Sequence, residues 1–235
     1  VGGYSRRVIL GTYDIVYQHL QGDLVPKNQD AVLGEVAVKS AGTIDINVAA
    51  GYFAAPVNHN GVLFPASPLQ MGNILLRNPA SEDYLVLGKT SLQNLSAKVI
   101  PGTYDVYYSH LNGDQVPQNS MARIMQGLII DPPGPTIQGG GLSINVDSVV
   151  MTGQMLLNNA LMPASEYDYG LVRLLRESDT VLLGHTHDQT YGLPVVKHPD
   201  WAGFNIHYGV ETLGDFLPAN GDARVMCILL DPLIL

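Results

Sequence analysis

The stretch Pro101 to Ile124, PGTYDVYYSHLNGDQVPQNSMARI, decides the reading of this chain, because the chain repeats it. Gly11 to Val32 reads GTYDIVYQHLQGDLVPKNQDAV, and Gly203 to Val225 reads GFNIHYGVETLGDFLPANGDARV, a more divergent copy. Within the central copy, Tyr104, Val106, Tyr108 and His110 alternate with Thr103, Asp105, Tyr107 and Ser109. A period of two in β-branched and aromatic residues is the pattern of a strand with one face on a core. Each copy then has Gly-Asp (Gly22-Asp23, Gly113-Asp114, Gly214-Asp215), a Val or Leu before Pro, and Asn two residues after the Pro. Glycine permits positive φ, Asp bonds its own backbone in turns, and Pro ends strand pairing, so the repeated polar residues are expected to build a stiff corner rather than bind an ion.

Outward from the motif, the flanking sequence is a series of short apolar runs. TIDINVAAGYFAAPV starts at Thr43, GNILLR spans Gly72 to Arg77, and LVLGKT spans Leu85 to Thr90, with Gly, Pro, Asn and Ser between them. Runs spaced by about 8–12 residues with turn residues between them indicate a β-sandwich or barrel. After the connector DPPGPTIQGGG (Asp131 to Gly141) the programme repeats. INV at 144–146 answers INV at 46–48, and PAS at 163–165 answers PAS at 65–67, both displaced by 98 positions. The fold expected is therefore all-β, as tandem antiparallel β-sandwich repeats: residues 1–42 as the second half of a unit, 43–131 complete, 132–141 a Pro/Gly linker, and 142–235 complete.

A PGTYDVYY strand preceded by GxLxLR-like and VxLGxT-like strands resembles the carboxypeptidase regulatory-like and transthyretin-like β-sandwich modules, and more loosely the Ig-like repeats of bacterial surface proteins. The resemblance covers Thr43 to Asp131, Leu142 to Asp231 and, as half a module, the first 42 residues. It implies an accessory role as stalk, spacer, adhesive unit or filament subunit, with no catalytic residues to carry over.

Composition narrows the function classes. Apolar residues make up 46% of the 235 residues and charged residues 14%, which indicates a folded chain with a largely neutral surface. With 21 acidic against 12 basic side chains, nucleic acid is not an expected partner. No apolar run approaches the roughly 18 residues of a membrane-spanning helix. The single cysteine, Cys227, sits in the run VMCILL and is expected to be a buried small hydrophobe.

Candidate sites are few. His185, His187 and Asp188 in GHTHD could hold a divalent metal, with His198 and His207 farther on, but Lys89 and Ser91 stand at the corresponding positions of the preceding unit. No nucleophile motif or phosphate loop occurs, and the carboxylate pairs Glu82-Asp83 and Glu177 with Asp179 are expected in solvated strand connections. No catalytic residue and no cofactor beyond that metal is expected. Tyr13 and Tyr17 in the orphaned first copy are candidates for assembly, and Trp201, beside His198 and Asp200, for ligand contact. These features favour a non-enzymatic extracellular or cell-surface structural or adhesive protein, assembling with copies of itself or with other surface components through its incomplete first unit. The alternative is a module that binds carbohydrate or another cell-surface polymer.

Overall fold

Strands account for nearly all regular structure in the computed structural model, which describes residues 5–81, 84–132, 141–198, 204–212 and 216–227. The helical turns among them are short 3-10 turns at Thr90–Leu92 and Thr186–Asp188. The protein is all-β.

Chain order begins with β1 (Gly11–Tyr17) and β2 (Ala31–Val38). Next come β3 (Gly51–His59), β4 (Val62–Leu63), β5 (Met71–Arg77), β6 (Tyr84–Lys89), β7 (Asn94–Val99), β8 (Gly102–Asn112) and β9 (Ala122–Ile130). A further series follows: β10 (Ile144–Val146), β11 (Ser148–Gln154), β12 (Leu156–Leu157), β13 (Ala160–Leu161), β14 (Gly170–Arg176), β15 (Asp179–His185), β16 (Thr190–Val196), β17 (Asn205–Val210) and β18 (Ala223–Cys227).

Two four-stranded antiparallel sheets share one strand order, β6-β5-β8-β9 and β15-β14-β17-β18. In each, the motif strand, β8 or β17, lies between the apolar GNILLR or GLVRLLR strand and the strand after the corner. Opposite the first sheet stands β3, paired with β7, β4 and β10, and the second core draws on the β11-β16 pair. The Asn60-Gly61 turn between β3 and β4 has φ of 50° and 81°, the left-handed pair that a tight hairpin requires.

The predicted facial alternation is present in β8. Tyr104, Val106 and Tyr108 are buried in the larger core with Phe53, Ile74 and Leu76. Its other face is covered as well: Asp105 is 5% and Tyr107 6% exposed. Tyr84 meets Tyr107 edge-on at 5.5 Å, and Asp105 accepts a hydrogen bond from the Gly127 N–H at 3.0 Å where β9 bulges. A buried carboxylate on a strand needs such donors.

The close approach of neighbouring strands explains two glycines. A Cβ on Gly72 would lie 2.6 Å from the Ser109 carbonyl oxygen, and one on Gly170 2.5 Å from that of Gly209. Both glycine N–H groups donate at 2.9 Å to a buried threonine hydroxyl, Thr90 and Thr186 respectively.

The 142–235 segment begins inside its neighbour's core. Ile144–Val146 pairs in parallel with the end of β3, and Ile144 and Val146 are fully buried in the larger core together with Val196. The expected boundary at residue 142 thus falls before a strand that belongs to the preceding sandwich. The matching INV at 46–48 is not in a strand, and Ile46 is 42% exposed. The difference is one of partners: β3 is present to receive Ile144–Val146, whereas the described residues hold no such strand beside β1 and β2. That hairpin pairs only with itself among the described residues and is largely exposed.

Candidate functional site

Each copy of the motif closes its corner with the same bonds. The hydroxyls of Tyr17, Tyr108 and Tyr208 donate to the carbonyls of Pro26 (2.8 Å), Pro117 (2.8 Å) and Pro218 (3.0 Å). The N–H groups of His19, His110 and Val210 donate to the carbonyls of Asn28 (2.9 Å), Asn119 (2.8 Å) and Asn220 (2.7 Å). Tyrosine spans the corner and the proline carbonyl faces it, so the loop is held from both sides. Burial raises the pKa of all three phenols, most strongly for Tyr108, which keeps them as neutral donors.

Two of the corners are plugged into the next sheet along the chain. At the first, Lys27 N–H donates to the Lys98 carbonyl at 2.9 Å, and Asn28 Oδ1 accepts the Ile100 N–H at 2.7 Å. At the second, Gln118 N–H donates to the Pro194 carbonyl at 2.9 Å, and Asn119 Oδ1 accepts the Val196 N–H at 2.6 Å. In both, consecutive corner residues engage strand residues two apart at the end of β7 or β16. Asn28 is 5% and Asn119 1% exposed. A buried amide must satisfy its donor side too. Asn28 Nδ2 donates to the Tyr104 hydroxyl at 3.0 Å, which itself donates to the Ile100 carbonyl at 2.6 Å. Phe204 fills the place corresponding to Tyr104 in the second junction and has no hydroxyl, and there Asn119 Nδ2 donates to Asp179 Oδ2 at 2.6 Å.

Asp179 is a correction to the sequence reading, which put it in a solvated connection. It opens β15, is 8% exposed, and also accepts the Met121 N–H at 3.0 Å. Burial raises its pKa, and the bonds from Met121 and Asn119 oppose that shift. Its corner neighbours Ser120 and Thr180 exchange two further bonds, Ser120 N–H to the Thr180 carbonyl at 2.9 Å and Thr180 N–H to Ser120 Oγ at 2.8 Å. Glu82 and Asp83 lie outside the described residues.

No family model, no curated protein and no solved structure matches the chain. The site is therefore read from its own geometry.

The structure brings His185, His187 and Asp188 together, with one ligand atom from each within 4.8 Å of the others. The two imidazoles stack at 5.3 Å, and Tyr169 stands edge-on to both. Glu211, which sequence spacing did not bring in, places Oε2 3.8 Å from His185 Nε2. Asp188 has a structural task as well: Oδ2 accepts the His185 N–H at 3.1 Å and caps the 3-10 turn. The Thr90–Leu92 turn after β6 forms without such a cap. His198 and His207 point elsewhere, to Arg176 (2.6 Å) and Asp222 (2.9 Å).

Tyr13 and Tyr17 have different roles. Tyr17 closes the first corner, whereas Tyr13 is 40% exposed and donates to the Ile9 carbonyl as Tyr104 does to that of Ile100. Trp201 and Asp200 lie outside the described residues, and so does the Cys227 side chain. Beside the first junction an open cleft of about 380 Å³ is lined by Asn28, Asp30, Tyr84, Ile100 and Tyr104, while a smaller one of about 30 Å³ beside the second is lined by Asp179, Arg176, His198 and Phe204 among others.

Proposed function

We propose that this chain is a non-enzymatic structural protein of tandem β-sandwich units, whose role is to hold those units in a fixed sequence as part of an extracellular stalk or surface filament. The observation that carries the reading is the repeated plug, Asn28 into Ile100 and Asn119 into Val196, with equivalent backbone bonds beside each. A flexible string of domains has no use for a buried amide hydrogen-bonded through both its oxygen and its nitrogen at each junction. A stiff spacer does, because a buried hydrogen bond fixes orientation as well as contributing stability. The Ile144–Val146 strand supports the same reading, since it ties one unit's sheet to the next unit's chain.

The test is interdomain motion. Fluorescence energy transfer between labels on β5 and β14 should give one narrow distance distribution for the native chain and a broad one for Asn119→Ala. Equal widths would remove the basis for a stiffening role. Antibody labelling of intact against lysed source cells tests the surface assignment, and signal confined to lysed cells would overturn it. The carbohydrate-binding alternative rests on exposed tyrosines and on Trp201 beside His198 and Asp200; Tyr13, Tyr52 and Tyr167 are exposed but are not brought together with His198, which bonds Arg176.

A further inference from the structure

The chain makes the same 3-10 turn after β6 and after β15. The residue before it is extended, with φ of −83° at Lys89 and −88° at His185, and the glutamine after it has positive φ, 62° at Gln93 and 64° at Gln189. Each glutamine side chain donates to a carbonyl of the same kind of neighbouring segment, Phe64 at 2.8 Å and Met162 at 2.6 Å. At the first turn the residues are Lys89, Ser91 and Leu92, and at the second His185, His187 and Asp188. Counted from Tyr108 and Tyr208, Leu111 stands at the end of β8 where Glu211 stands just past β17. The backbone therefore forms without any of the four, and at one of two matched sites a non-ligating set has been replaced by two imidazoles and two carboxylates.

We propose that His185, His187, Asp188 and Glu211 form a structural site for a divalent transition ion of the zinc class. Asp188 Oδ2 accepts the His185 N–H, which leaves Oδ1, and Oδ1 lies 3.5 Å from His187 Nε2. Glu211 Oε2 lies 3.8 Å from His185 Nε2. Two atoms bound at roughly 2.1 Å to one tetrahedral zinc are about 3.4 Å apart, so both pairs are near ligand spacing. The spread of up to 4.8 Å among the three turn residues closes by small χ rotations of partly exposed side chains. His187 makes no hydrogen bond among the described residues and its Nδ1 is buried, so the fold itself gives this imidazole no polar partner that would justify its position. Glu211 is held within reach through its backbone: its N–H donates to the Tyr169 carbonyl at 3.1 Å, and the Tyr169 ring stands edge-on to both imidazoles. Imidazole nitrogens select zinc-like ions over calcium and magnesium, and two carboxylates balance the double charge. Four protein ligands leave no open position, which makes the site structural rather than catalytic. The ion would tie the turn after β15 to the chain leaving β17, across the intervening β14. This holds whether or not the junctions between units are rigid.

The experiment titrates the full chain with zinc by calorimetry and with cobalt by visible spectroscopy. Zinc should bind one to one, and cobalt should give the intense visible band of a four-coordinate ion, which zinc then bleaches. His187→Ala should weaken zinc binding by about a hundredfold or more and Glu211→Gln by about tenfold, while leaving the metal-free melting temperature near the native value, because the turn stands without them. His207→Ala, at the separate contact with Asp222, should bind as the native chain does. The cobalt spectrum is read on the native chain, so it tests the site even where a variant folds poorly. A native chain with no saturable zinc binding up to millimolar concentration overturns the proposal. So does binding that survives His187→Ala unchanged, or a cobalt spectrum showing only the weak band of a six-coordinate ion.

Discussion

Asn119 and Val196 meet 77 residues apart in the chain, the amide oxygen of one accepting the backbone N–H of the other at 2.6 Å inside a buried junction. Asn119→Ala leaves that N–H and one oxygen of Asp179 without their partner. A cost of about 2–3 kcal/mol is expected, from the price of burying unsatisfied polar groups. Urea denaturation checks it, and a double-mutant cycle with Asp179→Ala should show coupling of about 1 kcal/mol or more, as groups in one network do. Additive effects would mean that the two side chains act separately.

Tyr108→Phe deletes one hydroxyl and orphans the Pro117 carbonyl while keeping the ring in the core. A loss of about 1–2 kcal/mol is expected. Tyr17→Phe removes the same bond in the exposed hairpin, where water can replace it, and should cost less than half as much. Thermal melts of the pair rank them.

Gly72→Ala and Gly170→Ala force a Cβ into a neighbouring strand's carbonyl, so each should destabilise by about 2 kcal/mol or more. Gly42→Ala is the control: nothing lies within 4 Å of its Cβ position, and a change within about 0.5 kcal/mol is expected.

His59 is held below its ordinary pKa of 6.5 by burial, against the opposing pull of Asp147, and its Nε2 bonds Ser148 Oγ at 2.7 Å. In the window between the lowered folded value and 6.5 the unfolded chain binds more protons, so stability falls as the pH drops through that window. His59→Gln keeps a polar partner for Ser148 and should flatten the melting temperature between about pH 7 and pH 5. Asp179 slopes the other way: its pKa, raised above the ordinary 3.8 by burial, makes the folded state the better proton binder between 3.8 and the folded value, and stability declines as pH rises through that window.

The sheets were legible because period-two patterning is local: Ala31 to Val38 and the Tyr104, Val106, Tyr108 face follow from neighbours in sequence. The corner was also legible as a corner, from Gly, Asp and Pro. Its use was not. The Pro-x-Asn spacing recurs in all three copies, but what Asn28 and Asn119 bond lies 72 and 77 residues away, and no local pattern carries that distance. Asp179 was misread for the same reason, since a carboxylate beside a turn is solvated unless another part of the chain closes over it. Ile144–Val146 and Ile46–Val48 share the letters INV, yet which sheet such a segment joins depends on β3 being there to accept it.

That short parallel strand bears on how the chain can be divided. A fragment ending in the connector before Gly141 would lack Ile144 and Val146, fully buried in its core, and a fragment beginning there would carry them bare. Hydrolysis of the connector need not part the two pieces, because β10 would still be clasped on β3. The covalent link and the packed link are at different places, so cutting the first leaves the second in place.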